Sequence, residues 1–521
     1  MRVLACRAVA VLAKKIYTSF KPLKVVEAVV LHCGKVVFAG DREKAVRMAR
    51  DLSGEVLEYS DSTVIPGLID SHTHIESLGL ALNSIDLRNV SSIEELKELL
   101  KKRAGTGSGW VFGRGWDQEK FREGRFPTRR DIDEVLGDRP AILVRVCGHM
   151  ALLSTAAIRE LRVEELAGER VLRDESGEFT GLVVEEGVEV AMRQFWSRVG
   201  DEELKRYLVS AVEHSLRYGI TTIGLAGTSL RTLSALAALS SGKALKSKIR
   251  AYLNLEAFTK FSELGVRAPM DFGRVRVVGV KLFADGSLGA RTAYLSEPYE
   301  DLPGTKGVKL LDSSRIAEVV STAENLGYQV AVHAIGDAAL DEVLEGYRGA
   351  RGRHRIEHLS VVRDDQLSRL REAGVVGVVQ PHFILSDWWV VRRVGVRRSS
   401  WVYRFKTLSK FVPISLSTDT PVEPIDPWEN IYAAVTRGEF EGVELARYTE
   451  NEKLTVTEAL HYYTYGSAYA LREEESLGRL EPGYQADMVV LADDPLTLPV
   501  EDLRKVRVVE VFVDGEKVYP G

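Results

Sequence analysis

Residues 277–290 read VVGVKLFADGSLGA. The first seven form an apolar run closed by turn-forming residues, the pattern of a strand buried on both faces. Lys281 stands inside that run. A lone ammonium is costly to bury there, so this lysine snorkels, is paired, or has its amine put to chemical use.

Seven further runs share this character: PGLIDSH (66–72), ITTIGLA (220–226), IRAYLNL (249–255), YQVAVH (328–333), HRIEH (354–358), VVGVVQP (375–381) and PISLST (413–418). They alternate with helical stretches, as in a parallel α/β domain, and eight strands are what a (β/α)₈ TIM barrel requires. We therefore expect the barrel over 66–477. The interval of roughly 90–215 is too long for one crossover and contains AILVRVC (141–147), so an α+β subdomain is expected to be inserted after strand 1, at approximately 105–200. The two ends of the chain are β-rich. VVEAVVLHCGKVVFAGD turns at Cys33-Gly34 and VRVVEVFVDGEKVYPG at Asp514-Gly515, which predicts a small composite β-sandwich domain from 1–65 and 478–521.

Composition narrows the class. Of 521 residues, 45% are hydrophobic and 28% charged, with a net charge of −5, so nothing in the balance points to nucleic acid or an anionic membrane. Cys6, Cys33 and Cys147 form no CxxC pair and no disulfide framework, which suggests a reducing, cytoplasmic setting. MRVLACRAVAVLAKK is broken by Arg7 and reads better as a strand or a short extension than as a signal peptide. No window approaches a membrane span. Asn and Gln are sparse beside Glu, Arg and Val, a bias resembling proteins from hot environments.

Polar residues recur at one end of these strands. His72 and His74 close the first, Lys281 lies near the end of the fourth, His333 ends the fifth, His358 the sixth, and Asp419 follows the eighth. In a barrel all these ends share a face, so the six would converge on one cavity. Each alone is weak: an HxH pair occurs by chance, and single histidines are more often hydrogen-bonded structural groups. Together, four imidazoles, a carboxylate and an amine form a nitrogen and oxygen set suited to Zn²⁺ or a similar divalent ion.

PGLIDSHTH, VKLFADGSLGARTA, VAVHAIGDAAL, RIEHL, STDTPV and GRLEPGYQADMVVL together resemble the amidohydrolase superfamily, and within it the amidohydrolase family 3 or YtcJ-like branch that includes N-substituted formamide deformylases. The likeness covers nearly the whole chain. It implies two divalent ions, with Zn²⁺ the default: His72, His74 and Asp419 on the buried ion, His333 and His358 on the second, and Lys281 bridging them as a CO₂-derived carbamate. The alternative for Lys281 is an unmodified amine paired to Asp285 or Glu357. The implied reaction is hydrolysis of a non-peptide C–N bond in an amide, formamide or cyclic amide, by a hydroxide held between the ions, with Asp419 as general base and then general acid. The implied partner is a small-molecule substrate, and superfamily members often form homo-oligomers.

Further substrate-binding candidates are His149, in the segment CGHMALLSTAAI, and Trp116 and Asp117, in GWDQEKF. Asp285 and Arg291 follow strand 4, where they could pair with each other or Arg291 could meet an acidic substrate group. Gln380 and His382 end strand 7. DWWVVRR (387–393) and HYYTYGSAY (461–469) read as pocket wall, core or interface. Three other functions compete. A lactonase- or phosphotriesterase-like hydrolase would use the same bimetal site. A nucleobase deaminase would need a glutamate where VHAIGDAAL offers Asp337, and a scaffold would lose ligands that are all present here.

Overall fold

The computed structural model describes residues 7–104, 109–146 and 148–520; Cys6 and Cys147 lie outside them. Eight parallel strands follow one another in sequence order through a nearly closed barrel: Leu68–Thr73, Ile220–Thr228, Lys248–Leu253, Val275–Phe283, Gln329–Ala334, Arg355–His358, Val376–Val379 and Ile414–Leu416. They are the eight runs read from the sequence. The first and eighth meet at their C-terminal ends, where Asp419 N donates to His72 O at 2.9 Å and His74 N to Thr420 O at 2.9 Å. The seam of the barrel is thus tied between two candidate ligands and the residues beside them.

Crossover helices start where a side chain can satisfy the free N–H groups of the first turn. Ser229 caps Leu230–Ser241, Asn254 caps Leu255–Glu263, and Asp312 caps Ser313–Leu326. The first two caps put their helices directly after the strand, while a long loop separates Phe283 from the helix at Ser313.

The terminal strands form one seven-stranded sheet in the order Glu516–Tyr519, Val508–Val513, Met488–Leu491, Glu55–Pro66, Val9–Phe20, Leu23–His32, Lys35–Gly40. Both foreseen hairpins are present. Cys33 and Gly34 (φ 48° and 78°) separate His32 from its partner Lys35, and Asp514 and Gly515 (φ 52° and 73°) separate Val513 from Glu516. Two consecutive left-handed residues suit the twist of a two-residue turn. Strand Val9–Phe20 is buried on both faces, which is why it does not alternate. Val11 and Ile16 pack with Val64, Met488 and Phe512, while Ala10 and Leu12 pack towards Ala45 and Ala49 of helix Arg42–Asp51. Lys248, at the start of barrel strand 3, reaches Asp487 at 2.6 Å and Asp514 at 2.8 Å, so sheet and barrel share one compact unit, Met1–Ile75 with Val212–Gly521.

The second unit, Glu76–Ala211, is wider than the 105–200 segment expected for the insert. It carries its own six-stranded sheet, from Ile85–Asp86 at one edge to Val171–Arg173 at the other. Leu87, Leu96, Trp116, Leu143 and Leu182 form its core. The extra length comes from helix Ile75–Leu82, strand Ile85–Asp86 and helix Ile93–Ala104 at one end and from the first part of helix Asp201–Leu216 at the other. Among the described residues, no helix is long and apolar enough to cross a membrane.

Gly224, in barrel strand 2, has no room for a side chain: a Cβ would lie 2.2 Å from Ser71 O, next to His72. Gly224→Ala is therefore expected to lower stability by about 1–3 kcal/mol through forced strand displacement. Urea denaturation followed by circular dichroism checks this.

Candidate metal centre

His72, His74, Lys281, His333, His358 and Asp419 all line one cavity of about 410 Å³ at the C-terminal end of the barrel. The ring centroids of His72 and His358 are 5.1 Å apart, and those of His333 and His358 are 4.4 Å apart. His72, His358 and Asp419 each present a ligand atom within 4.8 Å of the other two.

The second nitrogen of three imidazoles is already spoken for. His72 Nδ1 donates to Glu357 Oε2 at 2.5 Å, His358 Nδ1 to Gln380 Oε1 at 2.8 Å, and His333 Nε2 to Gly286 O at 2.9 Å. Each acceptor fixes a tautomer and leaves the other nitrogen as a lone pair. That is the outer arrangement of metal-bound histidines. Burial, with the neighbouring Lys281 and histidines, pushes His72, His333 and His358 well below the usual imidazole range, so their lone pairs are free at neutral pH.

Asp419 supplies the clearest sign of what belongs here. Its Oδ1 is buried without a hydrogen-bond partner, 3.2 Å from His74 Nε2 and 3.4 Å from His72 Nε2. Burial acts to raise this carboxyl, yet His72, His74 and Lys281 hold it below its ordinary value. A buried carboxylate oxygen left without a hydrogen-bond partner beside two imidazole nitrogens fits a cation, and the donor set fits a divalent metal. Backbone strain supports the same point: His358 (φ 77°) and Asp419 (φ 63°) both occupy the left-handed region, which non-glycine residues adopt where surrounding structure imposes it.

Lys281 is buried, its Nζ 3.5 Å from His72 Nε2 and 4.8 Å from the Phe283 ring centroid. Neither Asp285 nor Glu357 pairs with it. Glu357 is bound by Arg355 and His72, and Asp285 accepts from the amides of Tyr294, Ile335 and Gly336 at 2.8–3.0 Å. Burial pushes the Lys281 amine down to about 8, against the pull of Glu357 and Asp419.

The other candidates fall in varied places. Gln380 orients His358, and Asp285, with its Oδ1 3.5 Å from His333 Nε2, anchors the loop after strand 5. His382 lies against Glu423. An Asp285–Arg291 ion pair does not form: Arg291 pairs with Asp301 at 2.8 Å, because Asp285 is fully used by backbone donors. Within the second unit, Trp116 is buried in the core with Nε1 donating to Leu143 O at 2.7 Å, Asp117 pairs with Arg145 at 2.8 Å, and exposed His149 lies 3.1 Å from Glu185. Sequence reasoning overlooked Glu357 as the partner of His72, although the Glu of RIEH marks it. It also missed Tyr403 and Glu423 in the cavity wall. Glu423 stands four residues beyond Asp419; Tyr403 has no local signal.

A barrel carrying histidines, lysine and aspartate on its strand ends defines a metal-dependent hydrolase. Residues 59–519 match the amidohydrolase family, and the chain belongs to that family. It is 29% identical to YtcJ of Bacillus subtilis (strain 168), covering 97% of this chain and 98% of that one. It is 26% identical to the N-substituted formamide deformylase of Arthrobacter pascens, covering 94% of each. The crystal structure of an uncharacterized metal-dependent hydrolase from Pyrococcus furiosus superposes with a TM-score of 0.87 at 42% identity, over 94% of this chain and 100% of that one. The chain is thus a metal-dependent hydrolase of the amidohydrolase superfamily, a class acting on C–N bonds other than peptide bonds.

Removing the acceptor of His358 frees that ring to turn and to change tautomer. Gln380→Leu is expected to weaken metal binding by about 10–100-fold, measured by competition with a chromogenic chelator.

Proposed function

We propose that this enzyme hydrolyses a small amide, formamide or cyclic amide at a centre of two divalent ions, with Zn²⁺ the default metal and Lys281 carried as a carbamate. The observation that carries the reading is the bare Asp419 Oδ1 facing imidazoles whose outer nitrogens are already engaged. The formamide deformylase relative supports the bond class. His72, His74 and Asp419 would hold one ion, His333 and His358 the other, and Lys281 would bridge them. Ions so held supply Lewis acidity, lowering the pKa of a water towards about 7 and polarising a carbonyl oxygen.

The chain's own groups do the rest. Glu357 and Gln380 keep two imidazoles aimed inward. Asp419 accepts the proton of the attacking water and delivers it to the leaving nitrogen, so the products are a carboxylic acid and an amine. The Lys281 amine, neutral in part because burial lowers its pKa, adds through its lone pair to the carbon of CO₂ and releases one proton. The neutral amine thereby becomes an anion with two oxygens, the charge a pair of divalent ions requires; any ammonium form first loses a further proton.

Inductively coupled plasma mass spectrometry on protein prepared without chelator is expected to find two divalent ions per chain. An amide and formamide panel should show turnover that falls about 10³-fold in Asp419→Asn. One ion would favour a mononuclear site with free lysine; none, even with added metal and bicarbonate, would overturn the reading. Turnover confined to lactones or phosphotriesters would reassign the bond.

Carbamate formation needs the neutral amine, which predominates above the folded pKa of about 8. At fixed dissolved CO₂ and metal, reactivation of stripped protein should therefore speed up as pH rises through about 8 and stall near pH 6. Stopped assays of recovered activity test this.

A further inference from the structure

Apart from the candidate metal-binding set, the cavity wall contains two carboxylates, Asp387 and Glu423, and no basic side chain among the described residues. Much of the remainder is apolar: Phe283, Leu288, Ile335, Phe383 and Val422. Glu423 is satisfied by the protein, since the Ser386 hydroxyl donates to Oε1 at 2.7 Å and His382 Nδ1 lies against Oε2. Asp387 is only half satisfied. Tyr403 donates its hydroxyl to Oδ2 at 2.5 Å, and Oδ1 has no partner among the described residues.

Among the described residues, no cation pairs with it. Arg393, whose field reaches Asp387, is committed to Asp301 at 2.7 Å and to the Gly289 carbonyl at 3.2 Å. Burial pushes the Asp387 carboxyl up to about 7 in spite of the Tyr403 hydrogen bond, and Glu423 adds to the rise. A carboxylate desolvated in this way gains most from an arriving positive charge.

The surrounding fold is built to hold this group in place. Tyr403 is buried and sits at φ 49°, a conformation its neighbours must impose. Arg437 imposes it. This fully buried guanidinium donates to Tyr403 O at 2.6 Å and to Thr449 Oγ1 at 2.8 Å, with no carboxylate in ion-pair range among the described residues. Asp387 and Asp419 line the same cavity, so a ligand body beside the metal-binding set lies within reach of the Asp387 carboxylate.

We propose that Asp387, together with Glu423, selects the substrate by binding an ammonium or guanidinium carried on an apolar body, so that the preferred amides or formamides are cationic. Phe283, Leu288 and Val422 cover the apolar part, and Asp387 Oδ1 accepts a charged N–H. This inference rests on the hydrolase reading above.

The test is calorimetric binding to the metal-loaded protein of hexanoyl hydroxamate and its ω-amino derivative, which share a metal-chelating head and differ only in terminal charge. The amino compound is expected to bind at least about tenfold tighter. In Asp387→Asn that ratio should fall to within about threefold, and Tyr403→Phe, which unpins the carboxylate, should narrow it with the melting curve retained. Equal binding, preference for the neutral compound, or a ratio unchanged in Asp387→Asn overturns the proposal while leaving the hydrolase intact. Failure of both hydroxamates to bind overturns the metal-centre reading and this inference with it. The wild-type comparison needs no variant to fold.

Discussion

The Glu357 carboxylate lies fully buried inside the barrel, and much of the structure is arranged to make that burial tolerable. Arg355, two residues earlier on the same strand and on the same face, clamps it through Nε and Nη2 at 2.8 Å each. Its other donors reach Ser71 O on strand 1 and the Tyr252 hydroxyl on strand 3, and that hydroxyl donates in turn to Gln329 Oε1 on strand 5. One guanidinium thereby connects four strands. An unpaired charge here would cost several kcal/mol, so the network is retained whole or the barrel fails. What remains of the carboxylate's capacity goes to His72 Nδ1, which makes barrel closure and ligand orientation the same interaction.

From that anchor the site follows by exclusion. Every imidazole near the cavity centre except His74 has one nitrogen committed outward, and the committed acceptors differ: a carboxylate, an amide and a backbone carbonyl. A carboxylate behind His72 strengthens that ring as a donor more than the neutral acceptors behind His333 and His358 do. The cavity therefore has a deep, electron-rich side at His72 and Asp419 and a shallower side at His333. The strained backbone at His358 and Asp419 places both side chains before any ligand arrives, so binding requires little rearrangement there.

Much of this was legible in the amino-acid order, for physical reasons. Buried parallel strands must be apolar throughout, and VVGVKLF or YQVAVH stand out against amphipathic helices for that reason. A polar residue at the end of such a run has few explanations, which is how His72, Lys281, His333 and His358 could be singled out at all. Turn chemistry was equally direct, since Cys33-Gly34 and Asp514-Gly515 accept the left-handed angles a two-residue hairpin needs. Other features had no local trace. Arg291 was set beside Asp285 by sequence proximity, but three amides had claimed that carboxylate. Trp116 was a substrate-binding candidate by its motif and is instead in the core of its own unit. Tyr403 and Arg437 are 34 residues apart and become a pair only through folding.

By itself the sequence determined the eight-stranded parallel barrel, the β-rich ends and the strand-end positions of the candidate metal-binding residues. Hydrophobic periodicity and turn propensity are properties of short segments and survive without a partner. Tertiary structure alone decided which nitrogen of each histidine faces inward, which buried charges neutralise one another, and that Asp387 stands in the cavity wall with a free oxygen. Those outcomes depend on distances between segments tens to hundreds of residues apart. Hydrogen bonds and burial act over a few ångströms in space and leave no period along the chain.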